Sequence, residues 1–408
     1  MTLFPLYIDP GTGSALFSIA IGIAAAVYFL GRGLFLKLGV IFFRGRKSFQ
    51  LKYKYVIYAE DKRYWPFFET ILDEFESRGI EVHYFTTTED DPVFSSNYSY
   101  VKGKYIGQGN KAYAFLNFLS AQFVLTTTPH LDVFQWKRSK NVKHYSHMVH
   151  GAGGALLYRL FSLDYFDSIL VAGDTEINEI RMLEKARNLP EKQIIIVGNT
   201  FFDRCSDKIR QIPKEENHCF TVLVSPSWGP CALLKTYGEK LLDKLAETGW
   251  RVIIRPHPQS LIVEKSMLDK LHEKYKDNQN IQWDYNHENI FALSKSDVMI
   301  SDFSGIIYDY VFLFDRPVIV NIQNLDFRRL DANDVDFEPY YYQAFKKIGL
   351  ELDDSVLNNM ESLITNLSQD AQMRSARQEV KQTMWQNAGE SGKRIVDFMI
   401  ETAEKENN

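Results

Sequence analysis

The chain has 408 residues, of which 45% are hydrophobic and 14% aromatic, and its formal net charge is −5. This is enough for two or three domains with large cores, and the acidic balance argues against general nucleic-acid binding. The cysteines, Cys205, Cys219 and Cys231, show neither metal-site nor redox-motif spacing, as expected in a reducing compartment.

The first predicted element is an N-terminal membrane helix. Residues 14–31 form an uncharged 18-residue stretch, which as a helix would span about 27 Å, close to the thickness of the bilayer core. The preceding PGTGS segment, residues 10–14, is typical of a turn that caps a helix. It does not fit a phosphate loop, because no strand precedes it and no lysine follows in the loop.

The charges around this helix predict its orientation. The basic residues near it all lie on its C-terminal side: Arg32, Lys37, Arg44, Arg46 and Lys47. The positive-inside rule then places the main body in the cytoplasm, and the basic cluster suits an anionic membrane surface. We therefore predict a single-pass protein of the cytoplasmic membrane. An interfacial or re-entrant helix and a cleaved signal peptide are the alternatives, and residues 33–43 either continue the helix or lie along the headgroups.

After this region, apolar runs rich in β-branched residues alternate with helical patterns. The first series predicts strands at 53–60, 81–87, 122–128, 143–149, 168–173 and 193–199, with helices at 65–78, 110–120 and 174–186. After a polar stretch, the second series predicts strands at 219–225, 250–256, 281–283, 297–301 and 316–321, with helices at 232–248, 260–276, 287–294 and 304–314. Such alternation indicates parallel sheets covered by helices on both faces.

The predicted fold class is therefore α/β, with two doubly wound Rossmann-like domains behind an N-terminal membrane helix. The predicted parts are an anchor with its basic linker (1–48), an N-terminal domain (49–213), a C-terminal domain (214–384) and a final helix that packs back across the junction (385–408). Ligands bind such sheets at the carboxyl ends of the strands. The loops that follow the strands should therefore carry the chemistry.

The segment SDFSGIIYD, residues 301–309, ends a strand and opens a helix. The hydroxyls of Ser301 and Ser304, Asp302 and the free N–H groups of the first helical turn form a candidate phosphate site. Gly305 would let the phosphate approach the backbone, and Asp309 would reach ribose hydroxyls. The plainer interpretation is that Ser304 only caps its helix and Asp302 makes a turn hydrogen bond.

Two further loops point to the same crevice. In RPHP, residues 255–258, the prolines stiffen the loop. His257 would donate to a phosphate oxygen, while Arg255 adds charge or holds the loop; a buried His bonded to backbone is the alternative. In SPSWGP, residues 225–230, Ser225 and Ser227 are further candidate donor-binding residues. Trp228 fits core packing better than a stacking surface.

The segment HMVHGAGG, residues 147–154, lies in the other half. His150 stands at a strand end before glycine and is a candidate general base. Gly151, Gly153 and Gly154 form a candidate acceptor loop, and His147 is expected in the core or beside His150. A phosphate held by one domain and a histidine from the other is the arrangement of group transfer. We predict no metal site.

Together these loops resemble the CDP-glycerol glycerophosphotransferase family of teichoic-acid-type enzymes. The segment 296–320, SDVMISDFSGIIYDYVFLFDRPVIV, is similar to the family's C-terminal signature. Further similarity lies in GNTFFDR (198–204), VSPSWG (224–229), RPHP and NAGESGKRIVDF (387–398), and the resemblance covers about residues 53–400. After its histidine the family usually reads Gly-Thr-Pro-Leu-Lys, whereas this chain has Gly-Ala-Gly-Gly-Ala.

The resemblance implies a GT-B-like fold and attack by an acceptor hydroxyl on the phosphorus that bears glycerol, with CMP leaving. It implies that His150 is catalytic and that His257, Ser301 and Ser304 contact the donor phosphates. The expected donor is CDP-glycerol or another CDP-polyol, with no other cofactor, and the expected acceptor is a lipid-linked glycan. The alternatives are a glycosyltransferase that uses a nucleotide sugar and a catalytically degenerate scaffold subunit.

Overall fold

The computed structural model describes Val27 and residues 52–151, 154–213, 219–286, 288–322 and 327–405. The predicted membrane helix and the PGTGS segment lie outside the described residues, apart from Val27. Within the described part, no helix has the length and apolarity needed to cross a bilayer. The stretch Leu51–Asn408 forms one compact unit that contains both sheets.

The first half is built on a seven-stranded parallel sheet with strand order β3-β2-β1-β4-β5-β6-β7. Its strands are β1 (Tyr53–Ala59), β2 (Val82–Thr86), β3 (Val101–Tyr105), β4 (Ala121–Thr126), β5 (Val142–Met148), β6 (Ser168–Val171) and β7 (Gln193–Ile196). The central strands are buried on both faces, as in β1 and β4, where Val56 lies opposite Val124. The edge strand β3 is additional to the predicted strands, because its sequence VKGKY is polar and mostly exposed.

The second half is built on a six-stranded parallel sheet with strand order β10-β9-β8-β11-β12-β13. Its strands are β8 (Thr221–Val224), β9 (Arg251–Ile254), β10 (Ile281–Trp283), β11 (Val298–Ser301), β12 (Val318–Val320) and β13 (Gly349–Glu351). The three-residue strand β13 was not predicted. These two sheets confirm the predicted α/β fold with two parallel-sheet domains.

Helices cover both sheets. They are α1 (Trp65–Ser77), α2 (Asn110–Asn117), α3 (Thr175–Arg187), α4 (Thr200–Ile209), α5 (Leu233–Thr236), α6 (Gly238–Glu247), α7 (Ser260–Val263), α8 (Lys265–Tyr275), α9 (Ile290–Lys295), α10 (Ile306–Phe314), α11 (Tyr340–Ile348), α12 (Asp354–Asn358), α13 (Met360–Gln369), α14 (Ala371–Met384) and α15 (Ser391–Lys405). The predicted helix 260–276 is two helices, broken at Glu264. That residue leaves the helical conformation and its carboxylate accepts the Gly229 N–H at 3.0 Å.

The C-terminal segment joins the two halves. Helix α14 packs on α10 and α11, and the chain then returns so that α15 packs on α1 of the first half. At the start of α15, the Asp203 carboxylate of α4 accepts the N–H groups of Gly389, at 2.7 Å, and Ser391, at 3.1 Å. A carboxylate suits a helix N-terminus because it satisfies free N–H groups and complements the helix dipole.

Candidate active site

A cavity of about 540 Å³ lies between the two halves, a volume within the usual range for small-molecule sites. The first half contributes residues before and within α1, Pro92 after β2, and residues of α4, and the second half contributes the segments that follow β8, β9, β10 and β11. The lining residues are Lys62, Arg63, Trp65, Pro66, Phe67, Pro92, Phe201, Arg204, Cys205, Lys208, Ser225, Pro226, Arg255, Pro256, His257, Pro258, Glu288, Asn289, Ile290, Ser304 and Ile306. Four of the predicted donor-site residues therefore meet at one cavity: Ser225, Arg255, His257 and Ser304.

His257 presents a defined nitrogen at this cavity. Its Nδ1 accepts the Gln259 backbone N–H at 3.1 Å, so the ring proton of the neutral form must lie on Nε2. Partial burial lowers the pKa of His257, which favours that neutral form. The predicted core position of Trp228 is wrong: its side chain is 46% exposed, and its ring centroid lies 6.4 Å from that of His257.

Ser304 and the start of α10 form the next part of this wall. Ser304 lines the cavity immediately before α10 begins, so the positive end of the helix dipole lies at the cavity. Gly305 is exposed and has φ −58°, a conformation open to any residue. An added Cβ there would meet only the Tyr341 hydroxyl, at an ordinary 3.6 Å.

Ser301 and Asp302 do not lie where the predicted phosphate site requires them. Both are fully buried. The Ser301 hydroxyl donates to the Ser225 carbonyl at 2.6 Å, and the Asp302 carboxylate accepts the N–H groups of Ser227 at 2.9 Å and Leu233 at 2.8 Å. Burial raises the pKa of Asp302 to about 6. These side chains hold the SPSWGP loop in place and do not face the cavity.

Arg255 lines the cavity and also connects two loops. Its guanidinium pairs with Asp284 at 2.5 Å and donates to the Asn286 carbonyl at 2.7 Å. These contacts tie the loop after β9 to the loop after β10. A charged side chain held in this way keeps a fixed position as a ligand enters.

Asp309 lies behind the cavity surface. Its carboxylate accepts a hydrogen bond from the side-chain amide of Asn289 at 3.3 Å, and Asn289 lines the cavity. Burial raises the pKa of Asp309 to about 7. Asp309 itself is not a lining residue, and the side chain that reaches the cavity at this point is that of Asn289.

His150 lies on the other wall, two residues beyond β5. Its ring is edge-on to Tyr64 and to Phe67, with centroid distances of 5.3 Å and 5.2 Å. Phe67 lines the cavity, so His150 is separated from the lining by one aromatic ring. His150 keeps some exposed surface, yet the surrounding atoms lower its pKa to about 4. It is therefore neutral at physiological pH.

The predicted acceptor loop is described at both ends. Gly151 is half-buried, and Gly153 lies outside the described residues. Gly154 has φ +72°, and an added Cβ would lie 2.8 Å from a carboxylate oxygen of Glu179. That carboxylate accepts the Ala155 N–H at 2.9 Å. The loop thus requires glycine at this position for conformation and for space.

Several lining residues were not predicted. Lys62, Arg63 and Lys208 belong to no recognised motif, and Phe201 and Arg204 lie within GNTFFDR but were not predicted as site residues. Arg204 pairs with Glu69, and Lys208 pairs with Glu288 at 2.7 Å. A helix-period reading of residues 200–209 could have found this cationic face of α4. Within the described ranges, no group of three His, Cys, Asp or Glu side chains is placed to hold a metal ion.

The family described as CDP-Glycerol:Poly(glycerophosphate) glycerophosphotransferase matches residues 171–401, more than half of the chain. The chain belongs to this family. The resemblance to CDP-glycerol glycerophosphotransferases is thereby confirmed, and the protein is a transferase of that type. The matched span contains His257, Ser304 and Asp203 but begins after His150. No curated protein matches the sequence.

Solved structures support the fold. A His-to-Asn variant of the wall teichoic acid polymerase TagF, soaked with CDPG, is 14% identical with a TM-score of 0.56, and the match covers 94% of this chain and 99% of that one. UDP-GlcNAc 2-epimerase from Neisseria meningitidis, bound to UDP-GlcNAc, is 13% identical with a TM-score of 0.56, over 85% and 100%. The enzyme of that name from Methanocaldococcus jannaschii, with UDP-GlcNAc and UDP, is 14% identical with a TM-score of 0.55, over 85% and 99%. These likenesses show the paired Rossmann-like domains of a GT-B-like fold.

Proposed function

We propose that this family member transfers glycerol phosphate, or a related polyol phosphate, from a CDP-activated donor to a hydroxyl of a lipid-linked or cell-surface glycan, with release of CMP. The observation that carries the proposal is the composition of the cavity. One wall has the donors suited to phosphate, His257 and Ser304, and the other has a neutral histidine, His150, behind Phe67.

On the donor side, the pyrophosphate binds beside His257 and Ser304. The Nε2 proton of His257, the Ser304 hydroxyl and the positive end of α10 are all attracted to phosphate oxygens. Phosphoryl transfer depends mainly on positioning and charge stabilisation. These three groups supply both, and Arg255 adds a fixed positive charge nearby.

On the acceptor side, His150 accepts the proton of the attacking hydroxyl. The hydroxyl oxygen forms a bond to the phosphorus that bears the polyol. The bond from that phosphorus to the bridging oxygen breaks, and its electron pair leaves with CMP. The pKa of His150, which burial lowers to about 4, rises when an anionic donor binds nearby, because negative charge favours the protonated imidazole. His150 thereby becomes a stronger base when the donor is present.

The wall formed by the N-terminal half, here called the N-terminal wall, is also suited to a glycan. Trp65, Phe67 and Phe201 line the cavity, and the rings of Phe67 and Phe201 lie 5.2 Å apart. Aromatic faces pack against the C–H faces of sugar rings, while polar groups fix the orientation of the hydroxyls. A sugar hydroxyl held here would lie close to His150.

The membrane part of the proposal rests on the sequence. The uncharged stretch at residues 14–31 and the basic residues after it would anchor the enzyme at the cytoplasmic face, where an anionic bilayer and a lipid-linked acceptor are within reach. Fractionation of cells that produce the full chain tests this. Recovery in the membrane, lost on deletion of residues 1–48, is the expected result.

The activity is tested by chromatography of the nucleotides released from CDP-glycerol, CDP-ribitol, UDP-glucose or GDP-mannose by detergent-purified protein with a membrane-lipid extract. CMP from one CDP-polyol, absent with the His150→Ala variant, is the expected result. UDP or GDP would instead indicate a glycosyltransferase. No product and no donor binding would indicate a scaffold subunit.

A further inference from the structure

The hydroxyl of Tyr158 lies between the rings of two histidines. Its oxygen is 3.4 Å from Nδ1 of His150 and 3.3 Å from Nε2 of His147. Tyr158 directly follows the short helical turn at 155–157 that ends the candidate acceptor loop. Its backbone carbonyl accepts the Asp331 N–H of the second half at 2.8 Å. The hydroxyl is therefore held at both histidines by a backbone that is fixed in place.

If the Tyr158 hydroxyl donates its proton to one of the two histidines, two proton arrangements bond it to both. Burial lowers the pKa of His147 to about 3 and that of His150 to about 4, so each ring is neutral and carries one N–H. Burial, with Glu176 nearby, raises the pKa of Tyr158, so its hydroxyl keeps its proton. One hydroxyl proton serves one histidine, and the other histidine must donate to the hydroxyl oxygen.

The two arrangements differ at the catalytic nitrogen. If the hydroxyl donates to His150, then His150 carries its own proton on Nε2 and cannot act as a base there. If the hydroxyl donates to His147, then His150 donates from Nδ1 and its Nε2 has a free lone pair. A base at His150 requires the second arrangement, in which His147 carries its proton on Nδ1 and its Nε2 accepts from Tyr158.

We propose that Tyr158 is the positioning residue of the base: its hydroxyl donates to His147, accepts from Nδ1 of His150, and so holds His150 in the tautomer whose Nε2 can take a proton. The inference rests on the proposed function, because it takes His150 as the base. When His150 becomes an imidazolium, the same hydroxyl oxygen still accepts its Nδ1 proton and stabilises the charge.

The tautomer can be measured without any turnover. Long-range ¹H–¹⁵N correlation spectra of histidine-labelled full-length protein at pH 7 distinguish Nδ1–H from Nε2–H rings, and the signal lost in His150→Ala identifies His150. We expect the Nδ1–H form in the wild type and mixed tautomers in Tyr158→Phe. An Nε2–H form of His150 in the wild type would overturn the proposal, even if Tyr158→Phe failed to fold.

Kinetics give a second readout. Tyr158→Phe should lower kcat for CMP release about 10-fold, the value of one hydrogen bond, and leave the Kd for CDP-glycerol unchanged. Its pH–rate profile should also shift, because His150 loses the hydroxyl that accepts its Nδ1 proton. The other titratable groups near this cluster are Tyr64, His130, His147 and Glu176. The control is Tyr145→Phe, which also removes a buried hydroxyl contact, to the Ser139 N–H, but away from His150.

The outcomes separate the two proposals. An unchanged kcat and profile in Tyr158→Phe would overturn the positioning role. Absence of CMP release in the wild type, with the expected tautomer present, would overturn the proposed function while the assignment of the proton on His150 stands.

Discussion

The two walls of the cavity use polar residues in opposite ways. On the C-terminal wall, the side chains of Ser301, Asp302 and Arg255 form hydrogen bonds to neighbouring loops. His257 and Ser304 line the cavity and are the residues available to a ligand. On the N-terminal wall, His150 is surrounded by aromatic rings and is neutral. The first wall is a rigid anion site and the second is a weakly charged site for proton transfer. Substitutions on the first should change donor binding, and those on the second should change turnover.

The largest expected effect is that of His150→Ala. Loss of a general base lowers the rate of CMP release about 10²- to 10⁴-fold, while the Kd for CDP-glycerol stays within about twofold because the donor binds the other wall. Calorimetry and nucleotide chromatography on the same preparation measure both. His272→Ala, an exposed histidine beside Trp283, is the control. Normal turnover in His150→Ala would show that the base is not His150 on the N-terminal wall.

His257→Ala should weaken donor binding on the C-terminal wall. Loss of a hydrogen bond to a charged phosphate costs about 1.5 to 3 kcal/mol, so the Kd for CDP-glycerol rises about 10- to 100-fold. Turnover falls as well, because the same contact stabilises the leaving CMP. An unchanged Kd would place the phosphates elsewhere in the cavity, beside Lys62 or Arg63.

Two serines of one motif should behave differently. Ser304→Ala should weaken donor binding roughly 5-fold with little loss of stability, because Ser304 lines the cavity. Ser301→Ala should lower the free energy of unfolding by about 1 kcal/mol and leave donor binding unchanged, because its hydroxyl is bonded to the Ser225 carbonyl. Urea unfolding and calorimetry distinguish them. The reverse result would restore the phosphate role predicted for Ser301.

A further expected effect, measured on stability and not on activity, is a pH dependence in the N-terminal half. Glu176, whose carboxylate accepts the Ala172 N–H at 2.7 Å, is buried, and its pKa is raised to about 8. Between about pH 4.5 and 8 the unfolded chain loses this proton and the folded chain keeps it. The wild type should therefore lose roughly 1 kcal/mol of stability per pH unit relative to Glu176→Gln across that window. Parallel stability profiles of the two proteins would contradict the raised pKa.

Much of the fold could be predicted because buried parallel strands are continuous apolar runs bounded by helical patterns. The strands that escaped prediction lack that signal: β3 is polar and exposed, and β13 has three residues. The helix break at Glu264 was missed for a different reason, because it accompanies a long-range contact with the Gly229 N–H that the local pattern does not show.

The candidate site could be predicted only as far as position along a strand allows. RPHP and SDFSGIIYD were recognised because they follow strands, and His257 and Ser304 do meet at the cavity. The direction of each side chain depends on tertiary contacts. Ser301 and Asp302 turn inward to satisfy buried backbone groups of another loop, and Trp228 stays exposed beside His257. The helical spacing of Arg204 and Lys208 shows that they share a face of α4, but whether that face lies at the cavity depends on how the helix docks.

The most direct test of the division between the two walls is a crystal structure of the His150→Ala variant with intact CDP-glycerol. We expect the phosphates to lie beside His257, Ser304 and the start of α10, with the glycerol directed towards position 150. Phosphates held by Lys62 and Arg63, or a glycerol that points away from position 150, would contradict it.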